Sequence, residues 1–289
     1  MKKSISVVGG DLRIVKLIQM LVADDYTVYT YGLEMAEELI NLDGVEMCGA
    51  VEDVINASDV VIGPIPVSSD RRNLSMPFSN VKLPVDEFIN KFSAKNLIAG
   101  TIAEEYRKIL NEKNVNYIDL LKREEFTVLN TISTAEGTIQ IAMEETQRTV
   151  HGSNVLVMGF GRIGKVLAKM LDGIGAKVYC EARKNEDIAW IKAYGYSPVH
   201  LNNLNEHLGE FDIIINTIPF QILDNDRLNL VKKDAVLIDI ASNPGGIDRK
   251  AAKEKNLKVI WALSLPGKVA PLTSAQFIKE TIYHVLKEI

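Results

Sequence analysis

The stretch NVLVMGFGRIGKVLAKMLDGIGAKVYCEARK, residues 154–184, decides the fold. An apolar run leads into glycines with G-x-G-x-x-G spacing, and the residues that follow repeat their apolar positions at helical period. Between a strand and a helix, this pattern marks a turn that binds a pyrophosphate: it turns tightly, lets the backbone approach phosphate and packs the helix closely. The sequence therefore predicts a dinucleotide site at Gly159, Gly161, Arg162, Ile163 and Gly164.

The end of the next predicted strand bears on the choice of dinucleotide. Many NAD-binding chains place an acidic residue there to bind the ribose 2′-hydroxyl. Here Ala182 stands at that point, and Arg183 and Lys184 follow it. Two cations without an adjacent carboxylate favour a 2′-phosphate, and hence NADP over NAD. A shift of one residue would return Glu181 to the ribose position and keep NAD possible.

Short apolar runs alternate with helical segments along the whole chain, which is typical of parallel α/β sheets. We expect an α/β protein with two doubly wound, Rossmann-like parallel-sheet domains joined by long helices. The expected strands are residues 5–8, 27–30, 59–62, 96–99 and 115–118, then 154–158, 177–180, 212–216, 236–240 and 258–261. Long helices are expected at 126–152 and 270–289. The expected division is residues 1–130 plus 272–289, a flavodoxin-like substrate domain, and residues 131–271, the NAD(P) domain.

The two halves echo each other. SVVGGDLRIVKLIQMLVADDYTVYTYG in the first half aligns with LVMGFGRIGKVLAKMLDGIGAKVYCEA in the second. The second and third fingerprint glycines become Asp11 and Ile14 in the first half. A carboxylate would repel the pyrophosphate and a branched side chain would block it. We therefore expect the first half to bind another ligand.

Further cofactor contacts are expected in loops after late strands of the second half, because open α/β sheets bind ligands at the carboxyl ends of their strands. NTIPFQIL and DIASNPGG are two such loops, and LSLPGKVAPLTSAQ follows the last strand. Prolines and a glycine predict irregular backbone in the third. The expected cofactor residues are Thr217, Pro219, Ala241, Ser242 and Pro266.

The first half offers groups suited to a carboxylate substrate. IPVSSDRRN supplies hydroxyls and guanidiniums in a stretch without regular period, and arginine binds carboxylates through two hydrogen bonds. STAEG adds polar side chains in the connecting helix. The expected substrate ligands are Arg13, Ser68, Ser69, Arg71, Ser133 and Thr134.

Bulk properties exclude several classes of protein. The net charge of −5 is mixed in sign along the chain and argues against nucleic acid and against a basic membrane surface. Neither an export signal nor a membrane-spanning run is expected, so we expect a cytoplasmic location. Cys48 and Cys180 are interpreted as buried thiols, and the scattered histidines predict no metal site.

Taken together, VVGGDLR, STAEG, GFGRIG, ARK, NTIP, DIASNPGG and LPGKVAPLTSAQ resemble the A subunit of bacterial dipicolinate synthases over almost the whole chain. The resemblance implies an NAD(P)-dependent dehydrogenase acting on a CH–CH or CH–NH ring bond. The reaction that the resemblance implies is oxidation of a dihydrodipicolinate, made from the lysine-pathway hydroxytetrahydrodipicolinate, to dipicolinate in the mother cell of a sporulating bacterium. It also implies a small dicarboxylate substrate and a flavoprotein-like B subunit in a heteromeric complex; we expect homo-oligomers as well. Glu136 and Asp11 are candidate proton acceptors, and water is an alternative.

Other interpretations stay open. A D-2-hydroxyacid dehydrogenase has the same architecture but needs a histidine after the late strands, and WALSLPGKVAP has none. A methylene-tetrahydrofolate dehydrogenase needs a tyrosine-to-lysine spacing that EEYRKIL does not provide. A non-catalytic NADP-binding regulatory subunit is the alternative from a different class.

Overall fold

The computed structural model describes residues 3–289, and the chain forms two compact units. Unit 1 comprises the residues up to Leu129 together with Ala270–Ile289, and unit 2 comprises Asn130–Val269. The boundary falls within one long helix, α5 (Glu124–Glu145).

Unit 1 contains a six-stranded parallel sheet. Its strands are β1 (Lys3–Val8), β2 (Tyr26–Tyr31), β3 (Val45–Met47), β4 (Val60–Ile62), β5 (Asn96–Ala99) and β6 (Asn116–Asp119), in the order β3-β2-β1-β4-β5-β6. Its helices are α1 (Leu12–Ala23), α2 (Val51–Ala57), α3 (Val85–Asn90), α4 (Glu104–Glu112) and α12 (Pro271–Glu288), with 3-10 turns at Glu37–Leu39 and Leu120–Lys122. The apolar stripe of α1, including Leu17 and Leu21, packs with Ile278 and Ile282 of α12 on one face of the sheet.

Unit 2 repeats this topology. Its strands are β7 (Asn154–Met158), β8 (Lys177–Ala182), β9 (Ser197–His200), β10 (Ile213–Asn216), β11 (Val236–Asp239) and β12 (Lys258–Trp261), in the order β9-β8-β7-β10-β11-β12. Its helices are α6 (Arg162–Gly173), α7 (Asn185–Ala193), α8 (Leu204–His207), α9 (Asn225–Leu228), α10 (Arg249–Glu254) and α11 (Leu265–Val269), with 3-10 turns at Leu201–Asn203 and Leu208–Glu210. Strands buried on both faces explain the apolar runs in the sequence.

The predicted fold class is confirmed: both sheets are parallel and each follows the strand order of a doubly wound nucleotide-binding fold. All ten expected strands are present, but β3 and β9 were missed. Both lie at sheet edges, where β3 has only three residues and β9 contains Pro198, which an edge strand tolerates. The expectation of an irregular stretch at LSLPGKVAP was wrong in part, because α11 forms there.

Candidate cofactor and substrate sites

In unit 2 the strand register places the predicted cofactor loops at one edge of the sheet. The last paired residues of neighbouring strands lie side by side in the row Glu181, Met158, Asn216, Asp239 and Trp261. Parallel strands end at the same edge, so the loops that follow β7, β8, β10 and β11 leave the sheet together. The edge therefore gathers residues that are far apart in the sequence.

The glycine turn after β7 has the shape that a pyrophosphate requires. Gly159 has a φ of +91°, and a Cβ on Gly164 would collide with the carbonyl oxygen of Gly159. A Cβ on Gly161, by contrast, would have no heavy atom within 4 Å. Gly161 is also the N-cap of α6 and provides no side-chain hydrogen bond to the helix. The turn thus combines open space with a helix N-terminus, whose amides and dipole attract phosphate.

Glu181 lies beneath this turn and not at the surface. The residue is only 1% exposed, and its Oε2 accepts a hydrogen bond of 3.2 Å from the amide of Gly159. Burial raises the pKa of Glu181 to about 7, although the Gly159 amide and the positive charges of Arg227 and Arg183 oppose that rise. The carboxyl group supports the turn from inside the unit.

Cations surround the end of β8. Arg183 is exposed directly after the strand, whereas Lys184 forms an exposed 3.1 Å ion pair with Glu186. Arg227 of α9 donates to the carbonyl of Ile222, and its charge acts on Glu181. No sequence signal pointed to Arg227, because it lies far along the chain and outside any motif.

The loops after β10 and β11 combine buried and exposed residues. The hydroxyl of Thr217 donates to the carbonyl of Met158 at 2.8 Å, which fixes the start of the first loop. Pro219 and Ser242 are exposed, whereas Ala241 is buried. Phe220, which lies in the NTIPFQIL loop but was not among the expected ligands, is 71% exposed.

We expected Pro266 in an irregular loop, but it lies in a helix. It is buried as the second residue of α11.

The corresponding turn of unit 1 is closely packed. A Cβ on Gly9 would lie 2.6 Å from Cγ of Met76 and 2.9 Å from the carbonyl oxygen of Ser75. The amide of Gly10 donates to that same carbonyl at 2.8 Å, and the side chain of Ile14 packs against Gly10. A Cβ on the aligned Gly159 of unit 2 would likewise meet Thr217 and Ile218, so the first glycine does not distinguish the turns. They differ at the next fingerprint positions, where unit 1 carries Asp11 and Ile14 in place of glycines.

Two of the residues proposed for unit 1 are hydrogen-bonded to each other. Asp11 caps α1, and both of its carboxylate oxygens accept hydrogen bonds from the guanidinium of Arg13. Arg13 is buried and donates also to the carbonyl of Ile65. These bonds occupy both side chains and hold α1 to the loop after β4. They argue against Arg13 as a substrate ligand and against Asp11 as a proton acceptor.

The loop after β4 presents its arginines on a fixed turn. Asp70 accepts hydrogen bonds from the amides of Arg72 and Asn73 and from the hydroxyl of Ser68, and the amide of Asn73 is the main cause that lowers its pKa. Ser69 shares a hydrogen bond with Ser75. Both predicted serines therefore build the turn. Arg71 is exposed at its tip, in the left-handed backbone region with a φ of +63°.

The predicted residues of α5 lie in unit 2. Ser133 is buried, and the hydroxyl of Thr134 donates to the carbonyl of Asn130 one helical turn earlier. Glu136 lines an outer groove with Met143 of α5 and with Met170 and Ile174 from the far end of α6. The neighbouring Gly137 packs against Leu265 and Val269 of α11, which follows the carboxyl end of β12. Glu136 therefore stays a candidate proton acceptor.

Other kinds of site find no support in the described part of the chain. Among residues 3–289, no group of three or more His, Cys, Asp or Glu side chains is arranged to hold a metal ion. In the same range, no helix combines the length and apolar character needed to cross a bilayer.

Two family models match successive parts of the chain. Residues 4–121 match the N-terminal domain of the dipicolinate synthase A subunit. Residues 121–252 match the NAD-binding domain of D-isomer specific 2-hydroxyacid dehydrogenases. The second match agrees with the open glycine turn and makes unit 2 a nicotinamide-dinucleotide domain of the dehydrogenase type.

Matches to one curated relative and to two crystal structures extend over nearly the full length. The chain is 32% identical to the dipicolinate synthase A subunit of Bacillus subtilis (strain 168), over 99% of this chain and 96% of the relative. It resembles the crystal structure of the dipicolinate synthase A subunit from Bacillus halodurans with a TM-score of 0.87 and 28% identity, over 98% of this chain and 97% of that one. The crystal structure of the same subunit from Bacillus subtilis gives a TM-score of 0.87 and 30% identity, over 100% and 97%. With both units matched in order, the chain belongs to the family of dipicolinate synthase A subunits.

Proposed function

We propose that this chain oxidises a dihydrodipicolinate to dipicolinate with NADP. Family membership over 99% of the chain carries the proposal, and the open glycine turn of unit 2 supports it. The substrate loses two hydrogens, one as a hydride and one as a proton, and the ring becomes an aromatic pyridine. The oxidised nicotinamide accepts the hydride when the cofactor is bound.

The chain's part in cofactor binding follows from the edge of unit 2. We assign the pyrophosphate to the turn at Gly159, Gly161 and Gly164 with the start of α6, Arg162 and Ile163. Arg183 is the main ligand of the 2′-phosphate, because Lys184 is shared with Glu186. Burial of Glu181 supports NADP over NAD, since that carboxyl group is turned toward the Gly159 amide. Thr217, Pro219, Ala241, Ser242 and Pro266 remain proposed for the nicotinamide half.

For the substrate we assign one carboxylate to Arg71. Within residues 3–289 its guanidinium forms no ion pair, and the bonds of Asp70 hold the turn beneath it. A left-handed backbone at a residue other than glycine costs about 1–3 kcal/mol and persists where the surroundings enforce it. Ser68 and Ser69 support this arginine through the hydrogen bonds of the turn. Ser133 and Thr134 on α5 remain proposed substrate ligands.

The proton needs no dedicated acceptor on the chain. If hydride leaves a ring carbon while the ring nitrogen still carries hydrogen, the product is first a pyridinium. A pyridinium N–H is acidic enough to ionise in neutral water, so solvent takes the proton. This chemistry would leave Asp11 free to remain bonded to Arg13, and Glu136 remains the proposed alternative acceptor on the chain.

The family name also implies a second component. We propose that the chain works in a heteromeric complex with a flavoprotein-like B subunit, in the mother cell of a sporulating bacterium. Copies of this chain also associate with one another in this proposal.

The decisive experiment follows both products of the reaction. The chain, alone and with a candidate B subunit, is mixed with freshly prepared dihydrodipicolinate and NADP. We expect reduced-nicotinamide absorbance and the ultraviolet spectrum of pyridine-2,6-dicarboxylate to grow in equal amounts. Cofactor binding without product in either mixture would favour a regulatory subunit instead. Oxidation of 2-hydroxyacids in parallel samples would instead favour a 2-hydroxyacid dehydrogenase, the class whose NAD-binding domain matches unit 2.

A further inference from the structure

Asp239 ends β11 as a buried carboxylate surrounded by N–H donors. The residue is 1% exposed. Oδ1 accepts from the side-chain amide of Asn216 at 2.8 Å and from the amide of Ala241 at 3.1 Å. Oδ2 accepts from the amides of Gly246 and Ile247 at 2.8 and 3.3 Å. Three of these donors belong to the loop after β11, so the loop is wrapped around this side chain.

The sequence of that loop suits the wrapping. Gly245 has a φ of +84°, and a Cβ there would lie 2.6 Å from Oδ2 of Asp239. A Cβ on Gly246 would collide with the side-chain amide of Asn216. The consecutive glycines of SNPGG therefore let the backbone pass directly over the Asp239–Asn216 pair.

The same pair holds the neighbouring loop. Asn216 is fully buried, its Oδ1 accepts from the amide of Ile218 and its Nδ2 donates to the carbonyl of Ile218 at 2.9 Å. The two loops are also joined directly, because the amides of Ile222 and Leu223 donate to the carbonyl of Gly246 at 2.9 and 3.0 Å. Neither loop can shift without disturbing the other.

We propose that Asp239 is a positioning residue for the reaction: through Asn216 and its own backbone donors, it sets the geometry of both loops assigned to the nicotinamide half of the cofactor. The inference rests on the proposed function. Trp261 adds a third support, since its indole N–H donates to the carbonyl of Ala241 at 3.1 Å and the guanidinium of Arg249 lies 3.7 Å above its ring.

The main test substitutes Asp239→Asn. Each carboxylate oxygen of Asp239 accepts two hydrogen bonds, and Asn would replace one oxygen with an NH₂ group that cannot accept them. The loops therefore lose acceptors while the side-chain volume is kept. We expect kcat to fall about 100-fold, because small misplacement of a reacting group costs about that factor. The Kd for NADPH should change less than about threefold, since the phosphates supply most of the affinity. The fluorescence of bound NADPH should move toward that of free NADPH, because the reduced ring loses its fixed surroundings.

Asp119→Asn is the matched control. Asp119 also ends a strand as a buried carboxylate and accepts from the amides of Thr101, Ile102 and Leu121 at 3.0, 3.1 and 3.1 Å, but in unit 1. We expect it to lose stability comparably and to leave the fluorescence of bound NADPH unchanged. If Asp239→Asn does not fold, Trp261→Phe removes the indole hydrogen bond to the Ala241 carbonyl, and we expect kcat to fall several-fold at unchanged Kd.

The outcomes separate this inference from the proposed function. If wild type binds NADPH but turns over no dihydrodipicolinate, the proposed function fails and the NADPH fluorescence of Asp239→Asn alone decides the positioning role. Equal loss of kcat and of cofactor affinity in Asp239→Asn, or unchanged values of both, would overturn the inference. So would an identical fluorescence change in Asp119→Asn, or a wild type that binds no NADPH.

Discussion

The glycine turns of the two units share a backbone scheme and differ in what occupies them. In unit 1 the amide of Gly9 donates to the carbonyl of Tyr31 at 2.8 Å, and in unit 2 the amide of Gly159 donates to that of Glu181 at 3.1 Å. In each case the glycine follows the first strand of its unit and bonds to the end of the second. The first glycine is closely packed in both turns, by Met76 and the Ser75 carbonyl in unit 1 and by Thr217 and Ile218 in unit 2. The turns differ at the next fingerprint positions, where Asp11 and Ile14 stand in place of Gly161 and Gly164. One backbone geometry thus serves a closed structural turn and a proposed ligand site, and side chains make the difference.

The most severe test makes unit 2 resemble unit 1. Gly161→Asp introduces the residue that unit 1 carries at the aligned position, Asp11. A carboxylate close to the proposed phosphate position should raise the Kd for NADPH about 100-fold or more, measured by fluorescence titration. The protein should still fold, because a Cβ at this position meets no atom within 4 Å.

Gly173→Asp supplies the control for that change. It adds the same charge at the other end of α6, where a Cβ also meets nothing within 4 Å. We expect the Kd to stay within about twofold of wild type. Equal loss of affinity in both variants would mean that net charge, and not the turn, controls binding.

The next test concerns the residue at the end of the second strand, which is Glu181 in unit 2 and Tyr31 in unit 1. Burial raises the pKa of Glu181 from an ordinary value near 4.5 to about 7. Between these two pH values the folded state holds a proton that the unfolded chain has lost. The contribution of the protonated Glu181 to the free energy of unfolding is therefore complete below about pH 4.5 and disappears as the pH rises through about 7. It amounts to about 3 kcal/mol.

Glu181→Gln should remove this dependence. The difference in unfolding free energy between variant and wild type, from denaturant titrations, should shift in favour of the variant by about 3 kcal/mol from pH 5 to pH 8. Tyr31→Phe should produce no such shift, because burial raises the pKa of Tyr31 above its already alkaline value. Parallel pH curves for wild type and Glu181→Gln would contradict a carboxyl group buried under the turn.

A third test removes the side chain that packs against the glycine turn of unit 1. Met76 is 7% exposed and packs against Gly9 and Gly32, so Met76→Ala should lower the unfolding free energy by about 2 kcal/mol. Dinucleotide stoichiometry should stay at one per chain, since Asp11 and Ile14 remain. The exposed Met143, changed to Ala, should cost less than about 0.5 kcal/mol. A second bound dinucleotide in Met76→Ala would show that one side chain alone keeps unit 1 closed.

The smallest expected effect concerns the choice of cofactor. Arg183→Ala should raise the Kd for NADP about tenfold and leave the Kd for NAD within about twofold, because only NADP carries the 2′-phosphate. Lys184→Ala should have a weaker effect, since the exposed pair with Glu186 already shares its charge. Equal changes for both dinucleotides would place the 2′-phosphate elsewhere.

Periodicity and turn chemistry made most of the fold predictable. Ten strands follow from short apolar runs, and the glycine spacing with its flanking strand and helix predicts the open turn. β3 and β9 escaped because edge strands need neither continuous apolar residues nor freedom from proline. The sequence therefore predicts the central strands and the helices, whereas β3 and β9 form because they pair with a neighbouring strand, which local sequence does not show.

The site was less predictable, because its residues have partners far along the chain. Arg13 looked like a carboxylate ligand, but the fold brings Ile65 and Asp11 to its guanidinium. Asp239 carried no signal as an anchor, since Asn216 reaches it only through the pairing of β10 with β11. Charge in a motif says what a side chain can bind, and only the fold says whether it is already bound.

The glycine turn of unit 1 also limits how this chain could evolve. The carboxylate of Asp11 would repel a phosphate and the side chain of Ile14 would block its approach, so either obstacle remains when the other is removed. Loss of Met76 alone would leave a cavity with no ligand to refill it. Several substitutions would therefore be needed before unit 1 could bind a nucleotide, and the first of them would lower stability without a bound ligand to restore it.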